Sequence, residues 1–152
     1  MKIFIAADHR GVELKQEIKD FLKDLGHSVV DMGTDNSEKP CDYPPLACKV
    51  AVAVAKNRQA RGILVCMSGI GLSIAANKVP GAYAALCYNA EAARLSRQHN
   101  NANILVLGAK FVGMPEMKKM VKIWLDEKFE GGRHARRFRK IREIEKKFLK
   151  NI

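Results

Sequence analysis

Four short segments hold residue types that can do chemistry. Asp8-His9 follows an apolar run, and Cys66-Met67-Ser68-Gly69-Ile70-Gly71 follows another. Ser96-Arg97-Gln98-His99-Asn100-Asn101 closes a helical pattern, and Glu130-Gly131-Gly132-Arg133-His134-Ala135-Arg136-Arg137 opens one. Glycines in the second segment let backbone approach a ligand, and a following helix start would turn free N–H groups toward an anion. The segment lacks both the dinucleotide fingerprint and a Walker lysine, and a tight strand-to-helix turn explains the same glycines. Cys66 would sit at a strand end in the field of a helix N-terminus, which predicts a lowered thiol pKa and a stabilised thiolate. An ordinary buried cysteine is the alternative on these residues alone.

Each of the other segments also has two explanations. Asp8 can cap the helix that follows it. His99 can be a dipole partner at a helix C-terminus. Arg133 and Arg137 are four apart, so both can face one side of a helix start after the Gly131-Gly132 hinge. Two converging guanidiniums make a phosphate clamp.

The elements that must position these residues follow from periodicity. Strands are predicted at 2–7, 27–32, 62–66, 82–87 and 104–107. Helices are predicted at 12–25, 45–56, 72–78, 91–99, 115–128 and 134–149. The Val12–Leu25 pattern puts Leu14, Ile18, Phe21, Leu22 and Leu25 on one face, with Gly26 as its stop. Alternating strands and helices, with strands apolar throughout, imply an α/β domain spanning 1–152. The expected architecture is a three-layer α/β/α sandwich with a five-stranded parallel sheet, Rossmann-like. Ligands gather at the carboxyl ends of such strands. Asp8-His9, Cys66–Gly71 and Gly108–Lys110 all fall there.

Composition narrows the class. The 152 residues are 47% hydrophobic and 28% charged, a globular balance. The first apolar run is too short for a signal peptide, and no stretch has membrane-spanning length, so a cytoplasmic, non-membrane protein is expected. Cys41, Cys48, Cys66 and Cys87 form neither a Cys-x-x-Cys pair nor a zinc spacing. The formal net charge is +11, and Lys128–Ile152 holds ten Lys or Arg against three Glu. Such a tail attracts nucleic acid, an anionic surface or a phosphorylated substrate, or is a solvated face.

Together the four segments resemble the ribose-5-phosphate isomerases of the B type. Asp42-Tyr43-Pro44, Ser73-Ile74-Ala75-Ala76-Asn77-Lys78 and the run from Glu91 to Asn103 agree. The resemblance extends from Met1 to about Ile144. It implies proton transfer between C1 and C2 of a sugar phosphate through an enediolate, without metal or organic cofactor. It assigns Cys66 as the base and His99 as the acid that opens the sugar ring. Ser68 and the N–H groups of Met67, Gly69, Ile70 and Gly71 would stabilise the enediolate oxygen. Asp8 and Asn100 match the positions that hold sugar hydroxyls, and Tyr43 matches a further substrate-pocket position. His9, Arg133 and Arg137 match phosphate binders, and the two arginines are expected to reach a neighbouring subunit's site. The partners implied are a sugar phosphate and further copies of the chain, as a homodimer or homotetramer with shared active sites. The basic helix at 134–149, with Phe138, Ile141, Ile144 and Phe148 at helical spacing, would pack on that partner.

Two residues depart from the family pattern. Met67 stands where glycine is usual, which strains the backbone if φ is positive there and otherwise crowds the pocket mouth. Lys110 stands where many members place a phosphate-binding arginine, keeping the charge without the planar fork. Ribose 5-phosphate and ribulose 5-phosphate are the expected substrate pair. Allose 6-phosphate or galactose 6-phosphate is the alternative, and a nucleic-acid surface on the basic helix is a remote one.

Overall fold

The computed structural model describes residues 1–148 and contains the five strands that the apolar runs predict. In chain order they are β1 (Lys2–Ala7), β2 (Ser28–Asp31), β3 (Arg61–Cys66), β4 (Ala84–Cys87) and β5 (Ile104–Gly108). They form one parallel sheet in the order β2-β1-β3-β5-β4. The helices are α1 (Val12–Asp24), α2 (Tyr43–Lys56), α3 (Ile70–Ala76), α4 (Ala90–Asn100), α5 (Met114–Asp126) and α6 (Gly132–Phe148).

Strand alternation divides the core into two layers. Ile3, Ile5, Ile63, Val65, Leu105 and Leu107 point to the face covered by α1, α4 and α5. Phe4, Ala6, Leu64, Ile104 and Val106 point to the face covered by α2 and α3. Both faces are apolar because both are buried, which is why these strands read as continuous hydrophobic runs. Trp124 of α5 is fully buried in the first layer, with the Arg97 guanidinium 5.9 Å over its ring.

Several boundaries move by a residue or more. Gly26 stops α1 in a left-handed conformation, φ 79°, as its position predicts. The α2 helix begins at Tyr43, two residues before Pro45, because both prolines fit a first turn that needs no N–H donors. The α3 helix begins at Ile70 instead of Leu72. The last predicted helix starts at Gly132, and its expected final residue, Leu149, lies outside the described residues.

An ion network centred on the buried Lys15 ties α1 to the segment after β2. Lys15, 1% exposed, pairs with Asp31 and Asp35, both at 2.8 Å, and donates to the Thr34 carbonyl. Lys19 reaches Asp31 at 2.7 Å. Among the described residues no helix is long and apolar enough to cross a membrane.

Candidate active site

The chain runs β1 to β2 in one direction across the sheet and then crosses β1 to begin β3. Such a reversal leaves a crevice at the carboxyl ends of the two strands, where open α/β sheets bind ligands. Ala7 pairs with Val65 in the ladder, so Asp8 and Cys66 leave the sheet side by side. The Cys66 thiol donates to Asp8 Oδ2 at 3.2 Å. Asp8 is 5% exposed, and its Oδ1 accepts from the Arg10 N–H at 3.1 Å, capping the 3-10 turn His9–Gly11. The cap and the site use different oxygens of one carboxylate.

The loop after β3 is held from several directions. Gly69 takes φ 78°, which any Cβ would strain, and a Cβ there would also stand 2.6 Å from Leu86 Cδ1. This left-handed turn lets α3 start at Ile70, whose N–H reaches Ser68 Oγ at 3.3 Å. Gly71 lies against the Tyr43 ring, where a Cβ would come within 2.5 Å of Cζ. From β5, the N–H groups of Ala109 and Lys110 donate to the Cys66 and Met67 carbonyls, both at 2.8 Å. The Tyr88 hydroxyl donates to the Ser68 carbonyl. Met67 is not strained, since Asn101 alone among the described non-glycine residues has positive φ. Its side chain stands half out of the surface, the crowding alternative. Ile70 and Lys110 are exposed.

The electrostatics of Cys66 correct the sequence-based expectation. Burial, then the hydrogen bond to Asp8 and the charge of its carboxylate, push the thiol pKa up. Backbone hydrogen bonds from Gly69 and Met67 pull it down but do not win. The free protein therefore holds a neutral thiol, not the stabilised thiolate predicted from the helix start. Beside it, His9 Nδ1 accepts from the Cys41 N–H at 3.3 Å, which ties the 3-10 turn to the loop before α2.

The other predicted residues lie elsewhere. Because β4 and β5 are parallel, α4 must run back to the amino ends of the strands, so His99 and Asn100 sit at the opposite end of the sheet from Cys66. There the His99 ring stacks on His134, with centroids 4.0 Å apart and planes 3° from parallel. Glu130 Oε2 lies 3.8 Å from His99 Nε2 and 3.5 Å from His134 Nε2. Burial, His99 and Arg133 push the His134 imidazole below its ordinary value. A cavity of about 220 Å³ is lined by His99, Asn100, His134, Arg137, Phe138 and Ile141. His99, Glu130 and His134 bring three donor atoms within 4.8 Å of one another. Parallel rings keep their lone pairs from converging, and neighbouring Arg133 and Arg137 oppose a cation.

Comparison with known proteins decides the class. The family described as Ribose/Galactose Isomerase matches residues 3–141. The chain belongs to the ribose/galactose isomerase family. The solved ribose-5-phosphate isomerase B of Clostridium thermocellum is 54% identical, with a TM-score of 0.93 over 97% of this chain and 99% of that one. The enzyme from Mycoplasma genitalium, solved with bound ribulose-5-phosphate, is 46% identical. Its TM-score is 0.92 over 95% of this chain and 96% of that one. A D-erythrulose-4-phosphate isomerase from Pectobacterium atrosepticum is 39% identical over 93% of each chain. The architecture of this ribose/galactose isomerase, a five-stranded parallel sheet with helices on both faces, is that of the solved B-type enzymes.

Within one chain of this isomerase, Asp8, His9, Tyr43, Cys66 to Gly71 and Lys110 gather at the carboxyl end of the sheet. His99, Asn100, Arg133 and Arg137 do not join them. Phe138, expected in a stripe facing a partner, instead packs edge-on against Tyr83 and Phe129 of its own chain. Ile141, Ile144 and Phe148 are exposed. Nothing in the sequence marks Arg97, yet its Nη1 donates to the Ala102 carbonyl and to Asn101 Oδ1, fixing the exit of α4 that carries His99. Glu130 and His134 flank the Gly131-Gly132 hinge, but nothing in their spacing signals the stack on His99.

Proposed function

We propose that this isomerase interconverts ribose 5-phosphate and ribulose 5-phosphate, with Cys66 moving the proton. The observation that carries the proposal is the Cys66 thiol at the switch point, hydrogen-bonded to Asp8 and to the cradle N–H groups. A sugar hydroxyl that donates to Asp8 competes for the oxygen that now holds the thiol proton. The thiol proton leaves to solvent water, and the Met67 and Gly69 N–H groups then favour the thiolate left behind. The thiolate takes the C2 proton of the open aldose, and the electron pair moves through the C1 carbonyl to give an enediolate. Ser68 and the N–H groups of Gly69, Ile70 and Gly71 stabilise that oxygen charge. Cys66 returns the proton to C1 as the hydroxyl proton moves from O2 to O1.

Ring opening and phosphate binding come from a second copy of the chain. A five-residue strand spans roughly 17 Å, so one chain cannot bring His99 to Cys66. In a two-fold dimer, the partner's amino-terminal edge faces this chain's carboxyl-terminal edge, and each site is completed reciprocally. His99 then protonates the ring oxygen while Asn100 and Tyr43 hold sugar hydroxyls. Arg133 and Arg137 take the phosphate with His9 and Lys110. Exposed Ile70 and Ile74 on α3, and Ile141 and Ile144 on α6, give such a contact its apolar area. A cytoplasmic place of action fits the free thiols of Cys41, Cys48, Cys66 and Cys87.

A coupled assay comparing ribose 5-phosphate, erythrulose 4-phosphate, allose 6-phosphate and galactose 6-phosphate tests the substrate. The highest kcat/KM is expected for ribose 5-phosphate. A higher value for a four- or six-carbon substrate would reassign it, and turnover of none would remove the proposal. Exhaustive chelation is expected to leave the rate unchanged.

A further inference from the structure

A second cavity, of about 270 Å³, opens at the amino-terminal edge of the sheet, between α6 and the connection from α2 to β3. Its charged lining is Arg58, Arg61, Arg142 and Glu145. Among the described residues Arg94 is the only arginine in an ion pair, so none of these three guanidiniums has a carboxylate partner. Arg61 spends Nη1 on the Ala60 and Arg58 carbonyls. Glu145 forms no salt bridge with these arginines. Its two oxygens accept from the Gly81 N–H at 2.7 Å and the Tyr83 hydroxyl at 3.0 Å.

The remaining polar lining is also occupied. Asn103 accepts from the Tyr83 N–H and donates to the Gly81 carbonyl. Asn101 accepts from Arg97. Tyr83 stays protonated, since burial and Glu145 push its pKa up to about 12. Behind the cavity, burial and the charge of Arg61 hold Arg97 down, to about 10. An adjoining cavity shares Arg142 and Glu145 and adds Lys56 and Lys146. Like charges crowded at this density repel one another, and a bound anion relieves them. Forked, unpaired guanidiniums match the oxygens of a phosphate group.

We propose that Arg58, Arg61 and Arg142 form a second anion site, separate from the substrate's, that takes a small phosphate-bearing ligand. The site stands independently of the sugar-phosphate assignment. Arg142 lies on α6, the helix whose first turn carries Arg133 and Arg137. A ligand held between Arg142 and Arg58 would brace that helix against the body of the fold.

Calorimetric titration of the full chain with inorganic phosphate tests it. Two phosphates per chain are expected for the unaltered protein. The double variant Arg58→Gln/Arg142→Gln, changed at exposed positions, should keep one. Arg133→Gln/Arg137→Gln should lose the other. Glu145→Gln removes the nearby carboxylate charge and should tighten the second site several-fold. Repeating the titration with AMP separates free phosphate from a phosphate ester. Tighter binding of AMP assigns an ester, and tighter binding of phosphate assigns the free ion. An Arg58→Gln/Arg142→Gln titration that matches the unaltered protein with both ligands overturns the proposal.

Discussion

The Cys66 thiol and the Asp8 carboxylate, 3.2 Å apart at the ends of adjacent strands, hold one proton between them. Burial and Asp8 both favour the thiol form, so the group proposed as the base is kept neutral until something displaces that hydrogen bond.

Alkylation of Cys66 by iodoacetamide should therefore have a pH midpoint above that of an ordinary thiol. Asp8→Asn removes the carboxylate charge and should move the midpoint down. Burial is the larger cause and persists, so the midpoint should not fall all the way. A midpoint that stays fixed in Asp8→Asn would show that Asp8 does not govern the thiol. Sugar-phosphate turnover should fall in the same variant, because Asp8 also holds substrate in the proposed mechanism.

The network of Asp31, Lys15 and Lys19 predicts an acid-sensitive term in stability. Burial raises the Asp31 pKa, but hydrogen bonds from Lys15, Lys19 and Gly33 outweigh it and leave it lowered. A lowered folded-state value means the stabilisation is complete above the ordinary carboxylate range. It is lost as pH falls through the folded-state value. Asp31→Asn should cost about 1.5–3 kcal/mol near neutral pH, as for a hydrogen bond to a charged group. In urea unfolding, that difference should shrink below the ordinary carboxylate range. Lys19 runs the other way: its raised pKa gives stability below the ordinary lysine value, lost as pH rises through the folded-state value.

The part of the site at the strand ends is legible in the sequence because the strands are. Ile3, Ile5, Ile63, Leu64, Leu105 and Leu107 are apolar on both faces, so the polar residues that end each run stand out. What defeats reading along the chain is partnership across it. Asp8 is 58 positions from Cys66, and its proximity reverses the sign that a helix start alone predicts. Phe138 repeats with Ile141 at helical spacing, yet the ring turns inward onto Tyr83, a contact that periodicity does not encode.

Lys110 follows β5 at the same edge as Cys66, and its backbone N–H is already committed to Met67. Its exposed ammonium supplies a point charge in place of a planar fork. Lys110→Arg should lower KM by tenfold at most, about 1.4 kcal/mol, with kcat little changed. Lys110→Ala should raise KM, and added salt should blunt the difference. An unchanged KM for Lys110→Ala would leave the phosphate to His9, Arg133 and Arg137.

The separation of Cys66 from His99 makes the strongest prediction. If each active site takes Cys66 from one copy and His99 from another, a chain lacking either residue is defective in every site of its own dimer. Cys66→Ala and His99→Asn, each assayed alone on cyclic ribose 5-phosphate, should be severely impaired. Mixed in equal amounts under conditions that exchange subunits, half the dimers become mixed. Each mixed dimer has one site with both changes and one with neither, so activity should return to about one quarter of the unaltered level. Mixing without subunit exchange should restore nothing, which separates assembly from simple addition of two weak enzymes. If exchanged dimers also stay inactive, Cys66 and His99 do not meet across the dimer. His99 would then serve its own chain by closing α4 and stacking on His134.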